Sequence, residues 1–122
     1  MRINRTKPNK NSYNNVNRIL NKRLQISKNL FLSHLKKSNQ KWALMNNHNK
    51  MVAFVLAQNY APREIYIDLI AANKGYGHKI LNQIKKNVNY INLNSVPQAA
   101  GFYEKQNFKR LHPGSLRFSW SR

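Results

Sequence analysis

Cysteine is absent from the 122 residues, which excludes disulfides and thiolate metal sites and leaves no redox guide to compartment. Acids are nearly absent too: Glu64, Asp68 and Glu104 stand against 22 Lys and Arg, for a net charge of +19. A chain with three carboxylates is a poor receptor for a free polyamine, because cationic substrates favour acidic clefts. No apolar run approaches the ~20 residues that a membrane span needs. Met1 to Lys10 is polar and no apolar segment follows it, so no secretory signal is expected. No metal site is expected either. The length suits one domain and is too short for two.

What is present is a core and an excess of positive charge. Hydrophobic residues make up 41% of the chain and aromatics 11%, enough for a buried interior. A free monomer at +19 repels itself, and a polyanion would neutralise it. Nucleic acid, RNA above all, or a nucleic-acid-bound assembly is the expected partner, in keeping with a pI near 10.8. A competing source is AT-rich coding, which yields Lys and the 20 Asn but does not explain the missing acids. Residues 1–12 read as a basic tail, disordered when alone. The tail has the charge of an organellar transit peptide but is poor in Ser and Ala. The first 41 residues hold eleven cations and no acid. Arg2, Arg5, Lys7, Lys10, Arg18, Lys22 and Arg23 are the expected nucleic-acid contacts. The expected location is intracellular, with a mitochondrial (organelle-encoded) or viral origin open.

Residues 13–122 read as a single α/β (α+β) domain. Val16, Ile19, Leu20 and Leu24 are spaced for a helix. Ser27 offers the N-cap of a second helix carrying Leu30, Phe31, Leu32 and Leu35. Strands are expected at 42–45, 51–57 and 64–71, the first two joined by an Asn-rich turn. A helix over 76–86, a strand at 90–93, a helix from Pro97 and two closing strands at 108–111 and 115–120 follow, the last pair turning on Pro113-Gly114.

Two segments carry chemistry. The first is Ala72-Asn73-Lys74-Gly75-Tyr76-Gly77-His78-Lys79, set between strand and helix. Glycines at a helix start let backbone N–H groups approach a phosphate, and the helix dipole favours the negative charge. Gly-x-Gly alone also describes any tight turn. The second is Phe102-Tyr103-Glu104-Lys105-Gln106-Asn107-Phe108, which ends a helix, turns on Asn107 in the left-handed region and enters a strand. Together, about 25 residues apart, they resemble the GNAT superfamily of acyl-CoA-dependent N-acetyltransferases. The family's pyrophosphate motif is Gln/Arg-x-x-Gly-x-Gly/Ala, and a later run reads Phe-Tyr-Glu-Lys-x-Gly-Phe. The likeness covers residues 51–109 well and extends over 43–120. Ala72 stands where the family has Gln or Arg, Asn107 stands where it has Gly, and the phosphate loop is short. Some large-DNA-virus members are similar in that loop.

The resemblance implies the GNAT acyl-CoA N-acyltransferase fold, a mixed and mainly antiparallel sheet flanked by helices. It implies a sheet splayed beside Leu69 to Asn73, and acetyl-CoA as donor. The missing first family strand would fall on residues 2–7. Asn73, Lys74, Gly75, Tyr76, Gly77 and Lys79 would hold the pyrophosphate. The backbone of Leu69 and Ile70 would hold the pantetheine arm, and Asn94 or Ser95 would flank its other side. Tyr103 aligns with the general acid that protonates the leaving thiolate. Asp68 or Glu64 would take the amine proton, although Asp68 is equally a structural strand residue. Two functions follow. One is an N-acetyltransferase acting on an amine, with association to nucleic acid left open. The other is a catalytically decayed GNAT-fold subunit of a ribonucleoprotein such as a mitochondrial ribosome. A virion-packaged protein shares features of both.

Overall fold

Alternating apolar residues dominate the middle of the chain, and they build its sheet. In the computed structural model, residues 2–4, 8–19 and 27–122 are described. In chain order they form β1 (Arg2–Asn4), α1 (Tyr13–Ile19), α2 (Lys28–Lys37), β2 (Gln40–Met45), β3 (Met51–Ala61) and β4 (Glu64–Ala72). Then come α3 (Tyr76–Lys85), β5 (Tyr90–Asn94), α4 (Ala100–Lys105), β6 (Lys109–Arg110) and β7 (Arg117–Ser121). The seven strands lie in the order β1-β2-β3-β4-β5-β7-β6. Every neighbouring pair is antiparallel except β4–β5, which is parallel. Among the described residues no helix is long and apolar enough to cross a membrane.

The two faces of the sheet carry separate apolar layers. Val55, Ala57, Ile65, Ile67, Ile91, Leu93 and Phe118 pack against Ile80, Leu81 and Ile84 of α3 and Tyr103 of α4. Ala43, Phe54, Leu56 and Ala71 pack against Val16 and Ile19 of α1 and Phe31 of α2. Phe54 and Phe118 are fully buried, and burial of such a side chain stabilises by roughly 1.5–3 kcal/mol.

Local chemistry fixes the helix starts. Ser27 Oγ accepts from the Leu30 N–H at 3.1 Å, capping α2 as expected. Its Leu30, expected in the core, is 46% exposed, because the apolar stripe turns Phe31 inward instead. A 3-10 turn at Lys10–Ser12 leads into α1 and is held by a reciprocal cap: Asn9 N–H donates to Ser12 Oγ at 3.0 Å, and Asn11 N–H donates to Asn9 Oδ1 at 2.8 Å. Leu20 and Leu24, expected in the first helix, lie outside the described residues.

Three expectations change. The basic tail is not wholly a tail, since Arg2–Asn4 pairs with Ala43–Met45 and caps the free edge of β2. β3 runs on to Ala61, because Gln58 and Asn59 still pair with Tyr66 and Ile65 before the turn at Pro62-Arg63. The closing strands shorten to Lys109–Arg110 and Arg117–Ser121. Asn107 does take the left-handed conformation, at φ 68°.

Candidate active site

β4 leaves its parallel partner halfway. The last paired residues are Ile67 and Leu93, while β4 continues to Ala72 and β5 to Asn94. From Asp68 onward, therefore, one edge of β4 carries backbone groups that β5 does not satisfy. A bulge marks the departure. Pairing with β3 steps from Leu56↔Leu69 to Ala57↔Ile67, leaving Asp68 as the extra residue. The gap opens a cleft of ≈ 680 Å³ lined by Ile70, Ala71, Ala72, Asn73, Lys74, Gly75, Gly77, Ala99, Phe102 and Tyr103, with Arg18 and Ile19 of α1 on the rim.

The two glycines do different work. Gly75 is the N-cap of α3 at φ 87°, and a Cβ there would meet nothing within 4 Å. It supplies the left-handed turn and leaves space before the helix. No side chain caps α3; the Tyr76 N–H donates to Asn73 O at 3.0 Å, which leaves the N–H groups after it to face an anion, the arrangement that suits phosphate. Gly77 is constrained by packing. A Cβ there would lie 2.9 Å from Phe102 Cζ, so α3 can approach α4 only without a side chain at that position. Gly77 lines the cleft, and its missing side chain also makes room for the Phe102 ring.

Tyr103 is 5% exposed. Its ring packs against Phe102, Phe108 and Phe118 at centroid distances of 5.2, 5.6 and 5.8 Å. Burial pushes its phenol up to about 12, so at neutral pH the hydroxyl is a proton donor. Asp68 accepts from Gln58 Nε2 at 2.8 and 3.0 Å and from Ser38 Oγ at 3.2 Å. Those bonds draw its carboxylate toward β3 and the C-cap of α2, in keeping with a structural role, although its backbone sits at the mouth of the gap.

Other expected residues fall elsewhere. Glu64 opens β4, eight residues before Ala72, or roughly 25 Å along the strand, and it pairs with Tyr90. It is too far to serve the cleft. Leu69 turns into the layer beneath α1 and α2 while Ile70 lines the cleft, because neighbours alternate. Lys74 lines the cleft; Tyr76 and Lys79 do not, and Lys79 Nζ rests 5.4 Å from the Tyr76 ring centre. Asn94 Nδ2 donates to Tyr66 Oη at 3.1 Å and Ser95 Oγ donates to Val96 O at 2.6 Å. Asn94 ends β5 and Ser95 follows it, and neither lines the cleft.

Arg18, expected on nucleic acid, is at the cleft rim. Arg2 lies in β1 and Lys10 in the 3-10 turn, while Arg5, Lys7, Lys22 and Arg23 lie outside the described residues. Sequence reading missed Arg18, Ile19, Ala71, Ala72, Ala99 and Phe102 as cleft residues. The paired alanines before the glycine loop were the available signal, because small side chains on a strand end leave room for a ligand.

No protein-family model matches this chain, and no curated protein matches it by sequence. Solved structures do match. An acetyltransferase of the GNAT family from Staphylococcus aureus aligns at 19% identity over 98% of this chain and 99% of its own, with TM-score 0.66. The ribosomal-protein-alanine N-acetyltransferase of Escherichia coli aligns at 17% identity over 97% and 88%, with TM-score 0.63. A point variant of the Vibrio cholerae spermidine N-acetyltransferase aligns at 15% identity over 99% and 95%, with TM-score 0.67. The chain has the GNAT fold, as the strand order and the β4–β5 gap required.

Proposed function

We propose, with the GNAT fold as premise, that this chain is an acetyl-CoA-dependent N-acetyltransferase. The observation that carries the reading is the convergence of three features on one cleft: an uncapped helix start behind Gly75, the open edge of β4, and Tyr103 on the wall. A purely structural subunit has no need of all three.

The residues present fit acetyl-CoA. Gly75 clears the approach to the α3 N–H groups, and Lys74 beside it supplies positive charge. Ile70, Ala71 and Ala72 make a narrow apolar wall for an extended arm, and the β4 edge offers it backbone bonds. Ala72 brings no cation; Lys74 and Arg18 are the two on the lining. When bound, acetyl-CoA supplies an activated acetyl thioester. Tyr103 holds a proton at Oη, available to a departing sulfur. Asp68 can take the proton of an incoming amine through water, its direct bonds being committed to Gln58 and Ser38.

Arg18 on the rim and the net charge of +19 support an acceptor that carries negative charge or is held on a polyanion such as RNA. The decayed-subunit reading is favoured by the alanine at position 72, the charge of +19, the AT-rich composition and the ordered start of the basic tail. Calorimetry with acetyl-CoA decides between them. Micromolar binding that is lost in Gly75→Glu supports the enzyme; no binding at high micromolar ligand supports the decayed subunit.

A further inference from the structure

One half-face of the sheet takes no part in the cleft. Ile65, Ile91, Leu93 and Phe118 turn toward α3 and α4. Strand alternation sends Tyr66, Tyr90, Asn92, Asn94, Arg117 and Ser119 to the opposite side. Lys109 joins them through its pairing with Ser119. Tyr60, 54% exposed, reaches over from the end of β3, and its Oη accepts from Asn92 Nδ2 at 3.2 Å. Tyr90, Glu64 and Arg117 each lie close enough to Tyr60 to act on its phenol electrostatically. α1 packs on β3 and β4, and α2 on β3; among the described residues no helix covers β5 and β7 on this side.

The chemistry of this face is specific. It presents three phenol rings, two asparagine amides, two cations and, beside Tyr60 and Tyr90, the Glu64 carboxylate. Leu111, 68% exposed, is its one large aliphatic side chain. A shallow cavity of ≈ 220 Å³ opens between Tyr90, Asn92, Leu111, Arg117 and Ser119. Asn92 Oδ1 is buried and has no hydrogen-bond partner among the described residues, while its Nδ2 is spent on Tyr60 Oη.

We propose that this uncovered face is a docking platform for single-stranded nucleic acid. Unstacked bases lie on the tyrosine rings, the Asn94 amide meets base edges, and Arg117 and Lys109 hold phosphates. Charge complementarity favours this occupant, since the whole chain carries +19. A duplex offers phosphates but keeps its base faces stacked, so it cannot use the rings. The inference rests on the polyanion part of the proposed function and is independent of acetyl transfer.

The test is fluorescence anisotropy of the full chain with a labelled oligouridylate, beside a duplex of equal length at the same salt. The single strand binds more tightly. Tyr60→Leu and Tyr90→Leu each weaken it by roughly five-fold or more, as loss of a stacked base does. Tyr60→Phe and Tyr90→Phe, which keep the ring, stay within about two-fold of wild type. Circular dichroism confirms the fold of each variant. Calorimetry with acetyl-CoA on the same proteins separates this face from the cleft, whose affinity is unchanged. The proposal is overturned by equal binding of duplex and single strand, by leucine variants that bind like wild type, by phenylalanine variants as damaged as leucine ones, or by capture of anionic vesicles in place of the oligonucleotide.

Discussion

Tyr103 joins packing and chemistry in a single side chain. Its ring is held by three phenylalanines, and burial raises its phenol to about 12. In the proposed enzyme, Tyr103→Phe keeps the packing and removes the proton. Steady-state kinetics should show kcat lowered by roughly 10²–10⁴-fold, with acetyl-CoA affinity in calorimetry nearly unchanged. The same shift has a stability consequence. The folded pKa lies above the unfolded value near 10, so the folded protein retains a proton that the unfolded chain has lost. Its contribution is full below pH ~10 and falls away as pH rises toward ~12, amounting to about 3 kcal/mol. Chemical denaturation between pH 9 and 12 should show a steeper alkaline loss in wild type than in Tyr103→Phe. Equal slopes would mean that the phenol titrates normally.

At the scale of elements, the cleft depends on how closely α3 approaches α4. The 2.9 Å separation between a notional Gly77 Cβ and Phe102 Cζ makes that approach measurable. Gly77→Ala should destabilise the fold by about 1–3 kcal/mol, as overpacking does, and weaken acetyl-CoA by displacing a ring that lines the cleft. Phe102→Leu in the same chain should recover most of both losses, and additive effects in that double-mutant cycle would refute the coupling. Gly75→Ala should cost about 1–2 kcal/mol by strain at positive φ, with no rescue by Phe102→Leu. Elsewhere in the fold, Ser27→Ala removes the cap of α2 and should cost about 1 kcal/mol in urea denaturation.

For the whole molecule the governing quantity is the charge of +19. RNA affinity should fall linearly in log–log form as salt rises, with each phosphate-bound cation contributing about one unit of slope. Deleting residues 1–12 is a poor probe of the N-terminal cations, because it also removes β1 from the sheet. Replacing Arg5 and Lys7 with Gln keeps the strand and should reduce the slope by up to about two. An unchanged slope would place the contacts elsewhere, with the open sheet face as the next candidate.

Near neighbours in sequence made the elements and the glycine loop legible. Ser27 caps its helix, Asn107 takes the left-handed turn, and Gly75 opens α3, because each answers to backbone chemistry within a few residues. Alternation along β4 likewise puts Ile65 and Ile67 on one buried face, while Leu69 joins the other layer beyond the bulge at Asp68. Tyr103 was singled out by the resemblance that the run from Phe102 to Phe108 carries, and the fold places it on the cleft wall. What the sequence could not carry depends on packing between distant segments. Arg18 reaches the cleft only because α1 lies over β3 and β4. Gly77 meets Phe102 across two helices. Asp68 spends its carboxylate on Gln58 and Ser38, and Glu64 sits at the wrong end of β4, because strand direction and register decide which acid faces the gap. The sequence by itself therefore determined the loop, the caps and the charge, all of which follow from backbone geometry and composition. Tertiary structure alone decided which side chains share the cleft and which half of the sheet stays bare, because both depend on long-range pairing.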